Sequence, residues 1–160
     1  MKKIEGGVCA PEGFKANGVH CGIRKNKTKR DLSLIVSDVR CAAACVYTQN
    51  LVKGAPIAVT KRHVADGYAQ AIVCNSGNAN TCNANGEEIA EGMCALVSQK
   101  TGIPAQDVVV ASTGVIGQPL SLEPIAEGMD GLVSGLGDNS LYAAQGIMTT
   151  DTVDKQIAYT

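Results

Sequence analysis

A chain of 160 residues with 14 basic and 15 acidic side chains has a formal charge of −1, so no broad field draws it to nucleic acid or to an anionic membrane. Hydrophobic residues make up 45% of the chain but aromatics only 3%, so a core must be built from aliphatic and small side chains, and disorder is excluded by the apolar content. The start Met1-Lys2-Lys3-Ile4-Glu5-Gly6 has no apolar stretch of the secretory kind, and no run reaches the ~18 apolar residues of a membrane span. The expectation is one cytosolic α/β domain over residues 1–160, with eighteen glycines marking tight turns and close backbone approaches.

In chain order, the first half reads as strands. Val19 to Arg24 and Asp31 to Ser37 are apolar runs, and the basic stretch Arg24-Lys25-Asn26-Lys27-Thr28-Lys29-Arg30 between them reads as a solvated hairpin tip, because it lacks the aromatics that accompany nucleic-acid contacts. Ala42 to Thr48 and Pro56 to Thr60 read as two further strands, with Asn50 and Gly54 as turn residues. Ala71-Ile72-Val73-Cys74 is a short buried strand that delivers the amide-rich segment Asn75-Ser76-Gly77-Asn78-Ala79-Asn80. Those amides either satisfy backbone groups in a rigid turn or line a ligand pocket.

The second half reads as helix-rich. Asn85 with Glu88 has capping-box spacing, and Ile89, Met93, Leu96 and Val97 form one apolar stripe of a helix that ends at Gly102 before Pro104. Val108 to Val110 is a strand. Ser121 caps a helix whose Ile125, Met129, Leu132, Val133 and Leu136 share a face, and Ser140 caps a shorter one running out into Thr149-Thr150-Asp151-Thr152. Strands followed by strand–helix alternation predict a layered α/β domain, a mixed sheet with covering helices.

The seven cysteines (Cys9, Cys21, Cys41, Cys45, Cys74, Cys82, Cys94) are odd in number and lie in apolar company, which predicts free, mostly buried thiols. With only His20 and His63 to join them, no metal-ligand spacing exists. His20 next to Cys21 suggests a catalytic dyad, but neighbours on a strand point to opposite faces.

The segment Ala111-Ser112-Thr113-Gly114-Val115-Ile116-Gly117, directly after the apolar Val108-Val109-Val110, is the strongest chemical signal. A buried strand ending in Ser-Thr-Gly presents backbone N–H groups with little side-chain cover, and the Thr113 hydroxyl adds a donor beside them. That composition suits a pre-organised pocket for a developing oxyanion, although Gly in an ordinary strand-to-loop turn has the same appearance.

Four stretches in this order carry a resemblance: Gly18-Val19-His20-Cys21-Gly22-Ile23 leading to Asp31-Leu32-Ser33-Leu34-Ile35-Val36-Ser37-Asp38, then Asn75-Ser76-Gly77-Asn78-Ala79-Asn80, then 111–117, then Gly146-Ile147-Met148-Thr149-Thr150-Asp151-Thr152. Together, from Gly6-Gly7 to about Lys155, the chain resembles the amino-terminal portion of the ornithine acetyltransferase family, also called glutamate N-acetyltransferase, the bifunctional proteins of arginine biosynthesis.

The resemblance implies a four-layer αββα sandwich of which this chain supplies half, and a precursor that cleaves itself before a nucleophilic threonine. It places that threonine after a Lys-Gly-Ser-Gly-Met-Ile stretch and an Asn-Met-Ala segment, neither of which occurs between Thr152 and Thr160. The chain is thus expected to be an α-chain portion truncated before the cleavage site and inactive alone, and Thr160 is not the nucleophile. By the same resemblance Thr113 and Gly114 form the oxyanion hole and Thr152 binds substrate, while Asp151 reads equally as a capping carboxylate. The implied reaction moves an acetyl group from N-acetylornithine to glutamate through an acetyl-threonine, with no dissociable cofactor and acetyl-CoA as a possible co-substrate. The implied partner is the chain's own β chain in a heterotetramer of two α and two β chains, with no nucleic acid, no membrane and no metal. Two other readings stand beside it: an aminopeptidase or amidase of the same superfold, and a non-catalytic binding or assembly module.

Overall fold

A short strand β1 (Lys3–Ile4) pairs antiparallel with β6 (Ala158–Tyr159) at the two ends of the chain, and the computed structural model describes all of residues 1–160. Between them β2 (Phe14–Val19), β3 (Leu32–Ala42), β4 (Tyr68–Asn78) and β5 (Val108–Val115) form one sheet in that spatial order. The first two pairings are antiparallel and β4–β5 is parallel, so the sheet is mixed, as the sequence predicts.

Side chains alternate across a strand, so Leu32 and Leu34, Ala71 and Val73, and Val108 and Val110 all point to one face and are buried there. Helices α1 (Ala55–His63), α2 (Gly86–Thr101) and α3 (Glu123–Ser134) cover that face. Val59 of α1, Ile89, Met93 and Val97 of α2, and Ile125, Met129 and Leu132 of α3 join the strand residues in a core of 17 buried side chains. Each fully buried aliphatic side chain contributes roughly 1.5–3 kcal/mol of transfer free energy. On the other face α4 (Ser140–Ile147) is pinned over β3 by the Ser33 hydroxyl, which donates to the Ala143 carbonyl at 2.7 Å. Beyond α4 that face is open: Ile35 and Val109 are half-buried and Ile72 is 42% exposed.

The α2 stripe and the α3 stripe from Ile125 to Val133 fold as their spacing predicts, although Leu136 packs on the core from beyond the end of α3, and α2 stops at Gly102, which has a left-handed φ of 78° and whose N–H donates to the Ser98 carbonyl. The N-cap position of α3 is Leu122, one residue past the expected Ser121, whose hydroxyl still accepts the Glu123 N–H at 3.2 Å. The other expected caps do not form. Asn85 makes no side-chain cap bond, and the Ser140 hydroxyl instead donates to Gln156 Oε1 at 2.7 Å, tying α4 to the C-terminal segment.

Three strand expectations are corrected. Pro56–Thr60 is helical, within α1: Pro56 lies in the first turn, where its missing N–H costs nothing, and the helix puts Thr60 and His63 against β5. There β5 is the sheet edge, and α1 satisfies it. Thr60 Oγ1 donates to the Val110 carbonyl at 2.8 Å and accepts the Val110 N–H at 3.1 Å, while His63 Nδ1 meets the Val108 carbonyl at 2.8 Å. Ala42–Thr48 leaves the sheet at Ala42. Val19–Arg24 is loop beyond Val19, because the carboxylate of the fully buried Asp31 accepts the Cys21 and Arg24 N–H groups at 2.6 and 2.8 Å and bends the chain there.

The seven cysteines are free thiols, but only Cys94 is buried; Cys45 and Cys82 are exposed, Cys45 because residues 43–54 run outside the sheet and Cys82 because it lies in the loop between β4 and α2. Burial pushes the thiols of Cys74 and Cys94 up to about 12; for Cys21 burial, and then the Asp31 carboxylate, do the same. His20 Nδ1 faces the Lys29 carbonyl at 3.0 Å, so no Cys–His dyad forms.

Those three thiols hold their protons in the folded state above the pH at which unfolded cysteine loses them, roughly 8.5. The folded state then binds more protons than the unfolded state, so stability falls as pH rises from about 9. Urea midpoints measured from pH 8 to pH 10.5 should decline, and less steeply in Cys94→Ala. Identical slopes in the two proteins would contradict this account.

Candidate active site

The Ser112-Thr113-Gly114 segment is not the strand-ending turn that its composition suggests. β5 continues through it to Val115, and its register with β4 pairs Asn75 with Ser112, Ser76 with Thr113 and Gly77 with Gly114 before slipping at Asn78, which faces both Thr113 and Val115. This irregularity brings two backbones unusually close. A Cβ on Gly114 (φ 132°) would lie 2.4 Å from the Gly77 carbonyl carbon and 2.6 Å from the Asn78 nitrogen, so only glycine fits.

The side-chain amides of the Asn75–Asn80 segment brace this point, and of that segment only Gly77 lines the cavity there. Asn75 Nδ2 donates to the Asn78 carbonyl at 2.9 Å, and Asn78 Nδ2 donates to the Gln118 and Pro119 carbonyls at 3.0 and 3.1 Å. Asn80 Nδ2 donates to the Gly86 carbonyl at 2.7 Å, anchoring the start of α2. Asn75 Oδ1 and Ser112 Oγ, on register-paired residues, are buried without a partner.

Above the bulge, Thr113, Gly114 and Gly77 line a shallow cavity of about 430 Å³ together with Arg24, Thr149 and Thr150. Thr113 is half-buried and Gly114 exposed, so the hydroxyl and the backbone at this point are reachable from solvent. Thr152 lies elsewhere, in an adjoining polar cavity of about 280 Å³. Thus the structure brings Thr113 and Gly114 together with the Thr149-Thr150 pair and sets Thr152 next door. Asp151 serves its turn: it accepts the Thr149 N–H at 3.2 Å, and its ion pair with Lys155 at 2.6 Å holds its carboxyl below the usual range.

Arg24 is the residue common to both cavities, and sequence reasoning missed it. Its Nε donates to Ser76 Oγ at 3.1 Å, its Nη2 donates to the Met148 carbonyl, and Ser76 Oγ donates to the Gly146 carbonyl at 2.7 Å. Through these bonds the chain after α4 is held against the Gly77–Gly114 contact. A usable signal lay in the sequence, since Arg24 opens the basic run; what brings it to the two cavities is the bend imposed by Asp31. The run itself is solvated from Lys25 to Lys29, as expected, but Arg24 and Arg30 at its ends are half-buried.

No three His, Cys, Asp or Glu side chains converge, and no helix is long and apolar enough to cross a membrane. What the site offers is hydroxyl and backbone donors on a rigid bulge, an arrangement that favours negative charge developing on a carbonyl oxygen.

Comparison with known proteins agrees with the resemblance drawn from the motifs. The model of the ArgJ family matches residues 15–160. The arginine biosynthesis bifunctional protein ArgJ of Symbiobacterium thermophilum is 44% identical over 99% of this chain, and its counterpart in Listeria monocytogenes serovar 1/2a is 41% identical over the same share. The chain spans about 40% of the length of these relatives. Among solved structures, ArgJ of Bacillus halodurans superposes with a TM-score of 0.89 at 37% identity, covering 98% of this chain and 83% of that one. Ornithine acetyltransferase of Mycobacterium tuberculosis, solved with ornithine, superposes with a TM-score of 0.90 at 33% identity, covering 98% and 86%. The mixed sheet with its covering helices is therefore the fold of those structures, and the chain belongs to the ArgJ family.

Proposed function

We propose that this chain is the amino-terminal part of an acetyltransferase that moves an acetyl group from N-acetylornithine to glutamate in arginine biosynthesis, with Thr113 and Gly114 as its oxyanion hole. The observation that carries the reading is the Gly77–Gly114 contact, which fixes the backbone beside Thr113 where it lines an accessible cavity. Family membership supports it, as does the likeness to a structure described as ornithine acetyltransferase with ornithine.

In this reading a threonine from the part of the protein beyond residue 160 attacks the acetyl carbonyl, and the carbonyl π electrons move onto oxygen. Thr113 and Gly114 donate to that oxygen. Collapse breaks the amide bond, and ornithine leaves with a proton on its amine. The glutamate amine then attacks the acetyl-threonine ester through a second oxyanion in the same place, which releases N-acetylglutamate and restores the threonine hydroxyl. Each fixed donor lowers the barrier by roughly 3 kcal/mol, because it is aimed where charge develops only in the transition state. Thr152 contributes a neutral hydroxyl to the amino-acid substrate. The reaction needs no dissociable cofactor, and acetyl-CoA enters, if at all, as a co-substrate.

The open face with Ile35, Ile72 and Val109 supports a layered assembly in which a second sheet, from the chain's own β part, packs there. The solved relatives support processing into two chains, because this chain covers 83% and 86% of them but only about 40% of the curated relatives. The intact protein is then a cytoplasmic heterotetramer of two α and two β chains, with residues 1–160 as one domain.

In the intact, processed protein Thr113→Ala should lower kcat by about 10²-fold or more and change the melting temperature little, since a donor aimed at the oxyanion acts in the transition state. Near-normal kcat with a lowered melting temperature would reduce Thr113 to a structural residue. Residues 1–160 alone, mixed with N-acetylornithine and glutamate, should give no turnover above the uncatalysed rate, because the nucleophile is missing. Turnover matching the intact protein would place the nucleophile within these residues.

A further inference from the structure

The stretch after α4 supplies Thr149 and Thr150 to the cavity at Gly114, yet it is scarcely tied to the sheet that supplies the opposite wall. Its own bonds are local. The Met148 N–H donates to the Gln145 carbonyl at 3.3 Å, the Thr149 N–H donates to Asp151 at 3.2 Å, and Lys155 pairs with Asp151 at 2.6 Å. One hydrogen bond reaches residues 148–155 from outside this neighbourhood, the one that Arg24 Nη2 donates to the Met148 carbonyl. α4 itself is fastened twice, by Ser33 to the Ala143 carbonyl and by Ser76 to the Gly146 carbonyl, both at 2.7 Å. The fastening to the sheet stops at Gly146, and Arg24 alone carries it on to the cavity wall.

Arg24 is held in place for this from three directions. Its N–H donates to the buried Asp31 carboxylate at 2.8 Å, and its Nε donates to Ser76 Oγ at 3.1 Å. Its stem lies on Gly77, where a Cβ would meet Arg24 Cγ at 2.9 Å and Ile23 Cγ2 at 3.2 Å. Gly114, Gly77 and the Arg24 stem therefore form one continuous stack. Although half-buried, Arg24 enters none of the chain's ion pairs. Withdrawing a guanidinium from water without a carboxylate to offset it costs stability, so stability does not account for its placement. What its two neutral acceptors have in common is that they sit on facing walls of one cavity.

We propose that Arg24 is a positioning residue: it straps the segment after α4 to the end of β4 and so holds Thr149 and Thr150 opposite Thr113 and Gly114. The inference rests on the acetyl-transfer reading for its effect on turnover, and goes beyond it in assigning alignment of the two walls to one side chain. A substrate seated between them is oriented only as well as the looser wall is fixed, and misplacement by about 1 Å costs up to about 10²-fold in rate.

The test compares Arg24→Met with the wild type in the intact, processed protein. Methionine keeps an apolar stem over Gly77 and leaves Ser76 its bond to Gly146, while the strap is lost. Hydrogen exchange should quicken at least about tenfold in residues 147–150 and stay unchanged in β3 and β4. With N-acetylornithine and glutamate, kcat should fall at least about tenfold and KM should stay within about threefold, a split that loss of stability alone does not produce. Arg24→Lys, whose ammonium still offers a donor to the Met148 carbonyl, should recover both quantities to within about threefold of the wild type. Arg62→Gln, which removes an exposed arginine paired with Glu87 and Glu91, should alter neither. Quickened exchange at 147–150 in a protein whose wild type transfers no acetyl group leaves the strap standing and overturns the proposed reaction alone. Unchanged exchange at 147–150 overturns the strap whatever happens to kcat, and so does quickening spread through the whole sheet, which would make Arg24 a residue of the fold at large. Quickened exchange with unchanged kcat in an active protein, or Arg24→Lys as slow as Arg24→Met, overturns the positioning role.

Discussion

Two backbones in near-contact at Gly77 and Gly114 set the geometry on which the site depends. β4 and β5 run parallel up to this point, and a side chain on Gly114 would strike the β4 backbone at 2.4 Å. Because neither strand has a side chain here, the register slip at Asn78 is accommodated, and Thr113 stands at the rim of an accessible cavity on a segment that cannot relax away. Rigidity of this kind is what separates an oxyanion pocket from an ordinary polar turn, since donors that must reorganise during reaction lose much of their advantage. The Asn75 and Asn78 amides and Arg24 bond beside this point, and the Thr60 and His63 side chains hold β5 further back, at Val110 and Val108.

A second constraint is the buried Asp31 carboxylate. It is satisfied by backbone N–H groups of Cys21 and Arg24, and it lies 3.1 Å from His20 Nδ1, so its burial is compensated by bonds that also shape the loop. The loop in turn delivers Arg24 to Ser76 and Met148. One carboxylate thereby couples the β2–β3 connection to the chain after α4, two segments more than 100 residues apart in sequence.

How much of this was legible depends on whether the determining contact is local. The α2 and α3 stripes and the Gly102 stop are set by spacing within one helix, and they read correctly. Pro56–Thr60 has the β-branched look of a strand, yet it is helical because Thr60 and His63 satisfy an edge some 50 residues away, a tertiary effect that overrides local preference. The hairpin is displaced toward the amino terminus for a similar reason, Asp31 acting across the loop. The cysteines look like core residues by type, but Cys45 lies outside the sheet because the chain leaves it at Ala42, and Cys82 lies in the loop that follows β4. Thr113 and Gly114 stand out in the sequence by composition and motif order, whereas the length of the strand they occupy does not, since its continuation requires β4 as a partner. Arg24 was invisible as a site residue because only the folded loop places it between the two cavities.

The central claim is that the Thr113–Gly114 bulge receives the oxyanion. It is tested most directly by a crystal structure of the intact protein with a tetrahedral phosphonate analogue of N-acetylornithine. The account predicts one phosphonate oxygen at roughly 2.7–3.1 Å from both the Thr113 hydroxyl and the Gly114 nitrogen, the range of a working oxyanion donor. A well-ordered analogue whose oxygens point away from both residues, toward other donors, would contradict it.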